Sequence, residues 1–348
     1  MNKKALAKTG EKQQDSQTTE KSTLKLYMAI SGLLETARKK TANYINTTMV
    51  KTYFEIGRLI VEYEQQGRHR AEYGKETLKK LSERLTGRFG KGFSITNLKQ
   101  MRDFYREYSN GQTVSDEFRL SWSHYLFLMR IDNKEERSFY EKEAVNSGWS
   151  LRELERQFDT ALYERLLLSR NKDEFRRLAD KGVEIEKPKD LVKDPYVLEF
   201  LGLQEKQSYS ESELEQHLID KLQAFLLELG KGYAFVGRQV RFTFDEQHFF
   251  VDLVFYNRIL QCFVLVDLKI GKITHQDLGQ MQMYVHYYDR FVKMAHEGKT
   301  IGIILCLDKD DALVEITLPE DNNQIFASKY RMVLPDKKIL AELIKERK

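Results

Sequence analysis

Cysteine is nearly missing from this chain: Cys262 and Cys306 are the only two in 348 residues. Both sit in apolar runs, Leu-Gln-Cys-Phe-Val-Leu-Val and Ile-Ile-Leu-Cys-Leu. A disulfide framework is therefore excluded, and no Cys-x-x-Cys pair exists to hold zinc. Two buried thiols suit a reducing cytoplasm. Proline is scarce as well, four residues against 19 glycines, which excludes a collagen-like or Pro/Gly-rich chain. No apolar run approaches the ~20 residues that span a bilayer. The first residues, Met-Asn-Lys-Lys and then Thr-Gly-Glu-Lys-Gln-Gln-Asp-Ser from Thr9, lack the apolar centre of a secretory signal. These absences lead us to expect a soluble cytoplasmic protein with no membrane partner.

Charge of one sign is lacking too, with 57 basic and 53 acidic residues for a net of +4. The balance hides a division. Residues 1–100 carry 20 Lys/Arg against 10 Asp/Glu, leaving 37 against 43 in the remainder. An N-terminal part facing a polyanion, joined to something chemically different, is the expectation. Apolar residues at 41% and charged residues at 32% are enough to build cores under a solvated surface, and the length favours about two domains.

Residues 1–21 are polar and low in complexity and read as a disordered tail. From there to residue 181 the period is helical. Ile45, Met49, Tyr53, Ile56, Ile60 and Tyr63 form one stripe, of a helix ending near Gly67. A second helix is expected over 71–88 and a glycine-rich break over 87–93. Ser94 is the N-cap of a third helix striped by Ile95, Leu98, Met101, Tyr105 and Tyr108. Further helices are expected at 121–130, 134–147, 150–168 and 171–180. Pro188 and Pro195 mark a linker over 182–204. Beyond it, from 205 to 348, come a helix over 211–229, strands at 233–244, 248–257 and 260–270, and a helix over 274–295. Strands at 300–307 and 328–334 and a short terminal helix complete the order. The fold class is an all-α N-terminal domain followed by an α/β domain with a mixed central sheet.

The strand Phe263–Ile270 carries the chemistry. It is apolar on both faces, yet Asp267 and Lys269 stand two apart on one of them, and charges in such a place are paired or used. Asp252 interrupts the preceding apolar strand in the same way. In an antiparallel pair Asp252 and Asp267 would converge. Two carboxylates hold a hard cation such as Mg²⁺, and a lysine beside them positions or helps deprotonate a water. Taken alone, Asp-x-Lys is more often an ordinary ion pair. His217, His248, His275 and His286 form no HxxxH pair and read as surface or core residues. Gly230-Lys-Gly232 lacks the surroundings of a phosphate loop.

The segments Glu213–Ile219, Phe225–Gln239, Val251–Tyr256, Val266-Asp-Leu-Lys-Ile-Gly271 and Gly279-Gln-Met-Gln-Met-Tyr284 together resemble the YhcG-type PDDEXK nucleases. The resemblance implies a restriction-endonuclease-like C-terminal domain that hydrolyses phosphodiester bonds with Mg²⁺ or Mn²⁺. It implies that Asp252 and Asp267 are metal ligands, with the Leu268 carbonyl a further one, and that Lys269 is the catalytic lysine. Glu215 matches the helix glutamate that assists the metal site, with Glu213 a near competitor. Gln239 and Gln280 match polar positions flanking the site, Gln280 within reach of the scissile phosphate or its water. Val251 stands where the motif's proline would be.

The N-terminal region resembles the helical domain accompanying such nucleases, through Glu72-Tyr-Gly-Lys75, Phe89–Ser94, Leu120–Tyr125 and Trp149–Leu154. Helices 71–88 and 94–108 form a helix-turn-helix-like pair. The second would expose Thr96, Asn97, Lys99, Gln100 and Arg106, suited to phosphates and base edges; the alternative is a solvated bundle face used for dimerisation. The functional expectation is a metal-dependent DNA endonuclease in genome maintenance, recombination or defence, as a homodimer or with protein partners. Its rivals are a nucleic-acid-binding scaffold with a weak or inactive nuclease fold and an RNA nuclease.

Overall fold

The computed structural model describes residues 3–66, 71–109, 118–168, 172–203 and 209–346. They form two compact units, dividing between Arg130 and Ile131. Residues 134–181, expected with the N-terminal helices, pack in the second unit. No proline occurs before Pro188, so nothing in the first half forces a helix to stop.

The first unit holds α1 (Lys3–Gln66), α2 (Ala71–Phe89), α3 (Ile95–Tyr108) and α4 (Trp122–Leu128). The tail expected over 1–21 is, from Lys3, continuous with α1. The helix end expected near Gly67 lies outside the described residues. Val50, Phe54, Ile60 and Val61 are buried on α1, and Leu98, Met101 and Phe104 on α3. Gly57 permits this crossing: a Cβ there would lie 2.1 Å from the Met101 carbonyl oxygen. Ser94 caps α3 as expected, accepting from Asn97 N at 3.2 Å.

The second unit begins with α5 (Lys134–Ser147), α6 (Leu151–Asp159), α7 (Leu162–Leu168) and α8 (Lys172–Lys181). The single helix expected over 150–168 breaks at Ala161, whose φ is 52°. Part of the expected linker is core. Tyr196, Val197 and Leu198 are fully buried, and Tyr196–Val197 is an edge strand, β1. Its partner charge is Glu228, which accepts from Val197 N at 3.0 Å and from Arg165 Nη1 at 2.7 Å.

The rest is α9 (Glu211–Asp220), α10 (Leu222–Leu229), β2 (Tyr233–Phe244), β3 (Gln247–Asn257), β4 (Cys262–Lys272), α11 (His275–Tyr287), β5 (Ile301–Asp308), α12 (Asp311–Thr317), β6 (Ile325–Arg331) and α13 (Lys337–Glu346). The helix expected over 211–229 divides at Lys221, and α12 was not foreseen. The sheet order is β1-β6-β5-β4-β3-β2. β2, β3 and β4 are mutually antiparallel, whereas β4, β5, β6 and β1 run parallel, so the sheet is mixed. Helices α9 and α10 cover one face through Leu214, Leu218 and Phe225. Helix α11 covers the other through Leu278, Met281 and Tyr284. Gly302 lets α11 sit close to β5, since a Cβ there would meet Met281 Sδ at 2.5 Å. Both faces of β4 are thereby buried, which is why its sequence is continuously apolar.

Candidate active site

β3 and β4 pair from Asn257–Cys262 to Leu253–Val266. One step further along that register Asp252 stands opposite Asp267, where the ladder ends. Asp252 Oδ2 there accepts the Leu268 backbone N–H at 2.8 Å. A strand residue's N–H and C=O leave on the same edge, so the Leu268 carbonyl also faces the β3 side. The antiparallel juxtaposition read from the sequence is thus present, and it is made by register.

Asp267 is almost completely buried, at 3% exposure. Its Oδ2 has the Lys269 ammonium at 3.1 Å and no further hydrogen bond. Burial first, and then the facing Asp252, push the Asp267 carboxyl up to about 7, against the opposing pull of Lys269. Burial works to lower the Lys269 ammonium, but Asp267, Glu211 and Asp277 raise it overall. Glu211 lies 3.6 Å and Asp277 3.8 Å from Lys269 Nζ. Neither was singled out in the sequence. Asp277 did carry a local signal, the Thr274-x-x-Asp277 capping box that opens α11. Glu211 carried none.

α9 brings Glu215 in from the side. It is buried, and Gln239 bridges it to the pair: the Gln239 amide donates to Glu215 and, at 3.0 Å, to Asp252 Oδ1. Arg238, also absent from the sequence reading, holds Glu215 Oε1 from Nε at 2.9 Å. The rival Glu213 is spent on capping, accepting from Ser210 N at 2.7 Å. Gln280 donates to the Tyr284 hydroxyl, so here its amide is engaged within α11. Tyr284, Tyr287 and Tyr288 pack as expected, with Phe242 stacked on Tyr287 at 4.1 Å.

On α3, Thr96 and Lys99 are exposed and Gln100 is half-buried. Asn97 donates to the Gly92 carbonyl at 3.0 Å, and Arg106 pairs with Glu64 at 2.8 Å. The face foreseen for nucleic acid is therefore only partly uncommitted.

Among the described residues no three or more His, Cys, Asp or Glu side chains gather as a metal cluster. Mg²⁺ asks for less, one or two carboxylates completed by water and substrate. Two facing carboxylates, one of them buried with an under-satisfied oxygen, beside a backbone carbonyl fit such an ion.

A family model described as the YhcG PDDEXK nuclease domain matches residues 189–345. A second, the DUF1016 N-terminal domain, matches residues 29–165. The chain is 41% identical over 347 residues to a protein of Escherichia coli (strain K12) named "Putative nuclease YhcG", covering 91% of this chain and 92% of that one. Two solved structures also match. A repair endonuclease from Pyrococcus abyssi is 13% identical with a TM-score of 0.24, and EndoMS in apo form is 15% identical with a TM-score of 0.24. Each match covers 38% of this chain, which spans about half of either structure, 50% and 49%. Likeness at that level carries no argument here.

Proposed function

The chain belongs to the YhcG family of PDDEXK nucleases, and from that membership we propose that it is a metal-dependent endonuclease hydrolysing phosphodiester bonds in DNA. One observation supports the reading most directly. Asp252 is tied to the Leu268 N–H at 2.8 Å, which sets two carboxylates and a lysine at the open end of one strand pair. Asp252, Asp267 and the Leu268 carbonyl would hold Mg²⁺ or Mn²⁺. When bound, such an ion stabilises charge developing on the phosphate and lowers the pKa of a coordinated water. Lys269, anchored by Asp267, orients the attacking water with its remaining N–H donors. Glu215 and Gln239 fix the rotamer of Asp252, and Gln280 turns from Tyr284 to the scissile phosphate or its water. In the test, Asp267→Ala and Lys269→Ala each abolish Mg²⁺-dependent cleavage of plasmid DNA while the far-UV spectrum is unchanged. Full cleavage by both would overturn the assignment. Tight DNA binding without any metal-dependent product would favour the scaffold reading, and cleavage of RNA alone the third.

The reading includes a second copy of the chain as partner. Tyr27, Ile30, Leu34, Ala37, Thr41, Tyr44 and Thr48 on α1 recur at spacings of three and four, a heptad seam. Tyr27, Ile30, Leu34 and Tyr44 are 48–75% exposed, as are the flanking Leu26 and Leu33. Six such side chains at on the order of 100 Å² each reach the ~600 Å² per partner of the smaller specific interfaces. Identical seams pair with one another, which favours a second copy.

A further inference from the structure

The end of the β2–β3 hairpin has a second, unassigned surface. β4 pairs with β3 no further than Leu253, so residues 247–252 are paired to β2 alone. The hairpin thus runs past the sheet, beginning at Asp252. One side of this extension is anchored. Phe242 and Phe249 stand opposite each other, their rings stacked at 5.4 Å, and Phe242 lies on Tyr287. Alternation puts the next pairs on the other side, Arg241 opposite Phe250 and Thr243 opposite His248. The alternation breaks at Asp252 itself, since Val251 packs in the core under α11 and Leu253 in the core under α9 and α10. The extension therefore turns at the carboxylate and carries His248 and Phe250 out beside it. Arg241, Thr243, His248 and Phe250 are all exposed, Phe250 by 46%.

The charge distribution says what this face is for. A phosphodiester approaching Asp252, Asp267 and Glu215 meets cations whose charge is already balanced by carboxylates. Lys269 has three carboxylates within 3.8 Å, and Arg238 is held by Glu215. Among the described residues Arg241 pairs with no carboxylate. Its Nη2 lies 2.9 Å from the His248 ring, and His248 Nδ1 is 3.0 Å from Thr243 Oγ1, so the guanidinium is steadied without being neutralised. It stands two residues along β2 from Gln239. Beside it Phe250 offers a flat apolar ring to water. Aromatic rings next to cations are how single strands are held, a base on the ring and a phosphate on the cation. A base inside a duplex is already stacked and has no face free for such a ring.

Resting on the nuclease reading, we propose that Arg241 and Phe250, supported by His248 and Thr243, bind unpaired DNA adjoining the scissile phosphate. The substrate class is then DNA with a single-stranded segment at the cut. Asp245 and Glu246, exposed in the turn, mark where the strand leaves the hairpin.

Binding is read on the full chain in EDTA, by fluorescence anisotropy of a labelled 20-nucleotide single strand and of the blunt duplex of the same sequence. Phe250→Ala is expected to weaken single-strand binding about 10-fold and leave duplex binding unchanged. Phe250→Tyr keeps the ring and restores affinity. Arg241→Ala is expected to weaken the single strand and to lower the salt dependence by about 0.7 in log–log slope, one phosphate's share. Both positions are exposed, so melting temperatures should match wild type and confirm folded variants. Wild-type affinity for the single strand in both variants would overturn the proposal. So would a wild type that prefers duplex, or RNA of the same sequence. Absence of Mg²⁺-dependent cleavage by wild type would instead strike at the nuclease reading, because this binding is measured without metal.

Discussion

Asp252 Oδ2 accepts the backbone N–H of Leu268 at 2.8 Å, a side chain taking the place of the next rung in a ladder that has just ended. The carboxylate is thereby fixed opposite Asp267, with its other oxygen held by Gln239 at 3.0 Å.

Asp252→Ala should remove a metal ligand and leave the Leu268 N–H without its partner. Cleavage is expected to fall by at least about 100-fold, since even groups behind the metal ligands matter at 10–100-fold. An unfolding midpoint measured alongside should drop as well, because Leu268 is fully buried and a buried N–H left without its acceptor costs about 1–3 kcal/mol.

Gln239→Asn tests the bridge between Glu215 and Asp252. Gln239 sits at φ 45°, which asparagine tolerates better than alanine, so the backbone is spared. The shorter amide no longer spans both carboxylates, and the Mg²⁺ concentration for half-maximal cleavage should rise about 10-fold. An unchanged metal titration would remove Gln239 from the site.

Glu228 governs acid stability. Burial works to raise its carboxyl, but Arg165, Lys193 and Arg156 outweigh it and hold the group down at about 2. A depressed folded pKa means stability present above the ordinary value near 4.5 and lost as pH falls toward 2. The contribution is of order 3 kcal/mol at neutral pH. Urea unfolding at pH 7 and pH 3 should show about 2 kcal/mol of that loss in wild type, and Glu228→Gln should flatten it while costing about 3–5 kcal/mol at pH 7.

Leu34→Glu and Ile30→Glu place charge in the α1 seam without touching the protomer's core. Light scattering after size exclusion should give twice the chain's mass for wild type and once for either variant, with unchanged helicity. A wild type of single mass at tens of micromolar would rule out the second copy as partner.

Much of the site was legible because its signals are local. Asp267 and Lys269 interrupt a strand apolar on both faces, and Asp252 interrupts its neighbour. Ser94 opens α3 by a rule confined to four residues. Glu211 was not legible: the Ser210-x-x-Glu213 capping box marks Glu213 locally, but no short-range pattern marks Glu211. What separates them is that Glu213 folds back on Ser210 while Glu211 reaches Lys269, 58 positions away in sequence. Arg238 likewise looks like any strand-edge arginine until α9 brings Glu215 to it. The segment 182–204 was misjudged because prolines and mixed charges mark linkers when read locally; here the charges are satisfied across the unit, and Tyr196 and Val197 complete a sheet edge.

By itself the sequence determined the helical first part, the change of period beyond the prolines, the buried central strand and the carboxylates on it. Those follow from periodicity and from the cost of burying charge, which act over a few neighbouring residues. Only the tertiary structure decided which charges meet. The β3–β4 register set Asp252 against Asp267, and the docking of α9 and α11 surrounded Lys269 with carboxylates. The early end of the β3–β4 ladder left Arg241 and Phe250 on an open face. Register and docking depend on how whole elements fill the space between them, and no local pattern in the chain encodes that.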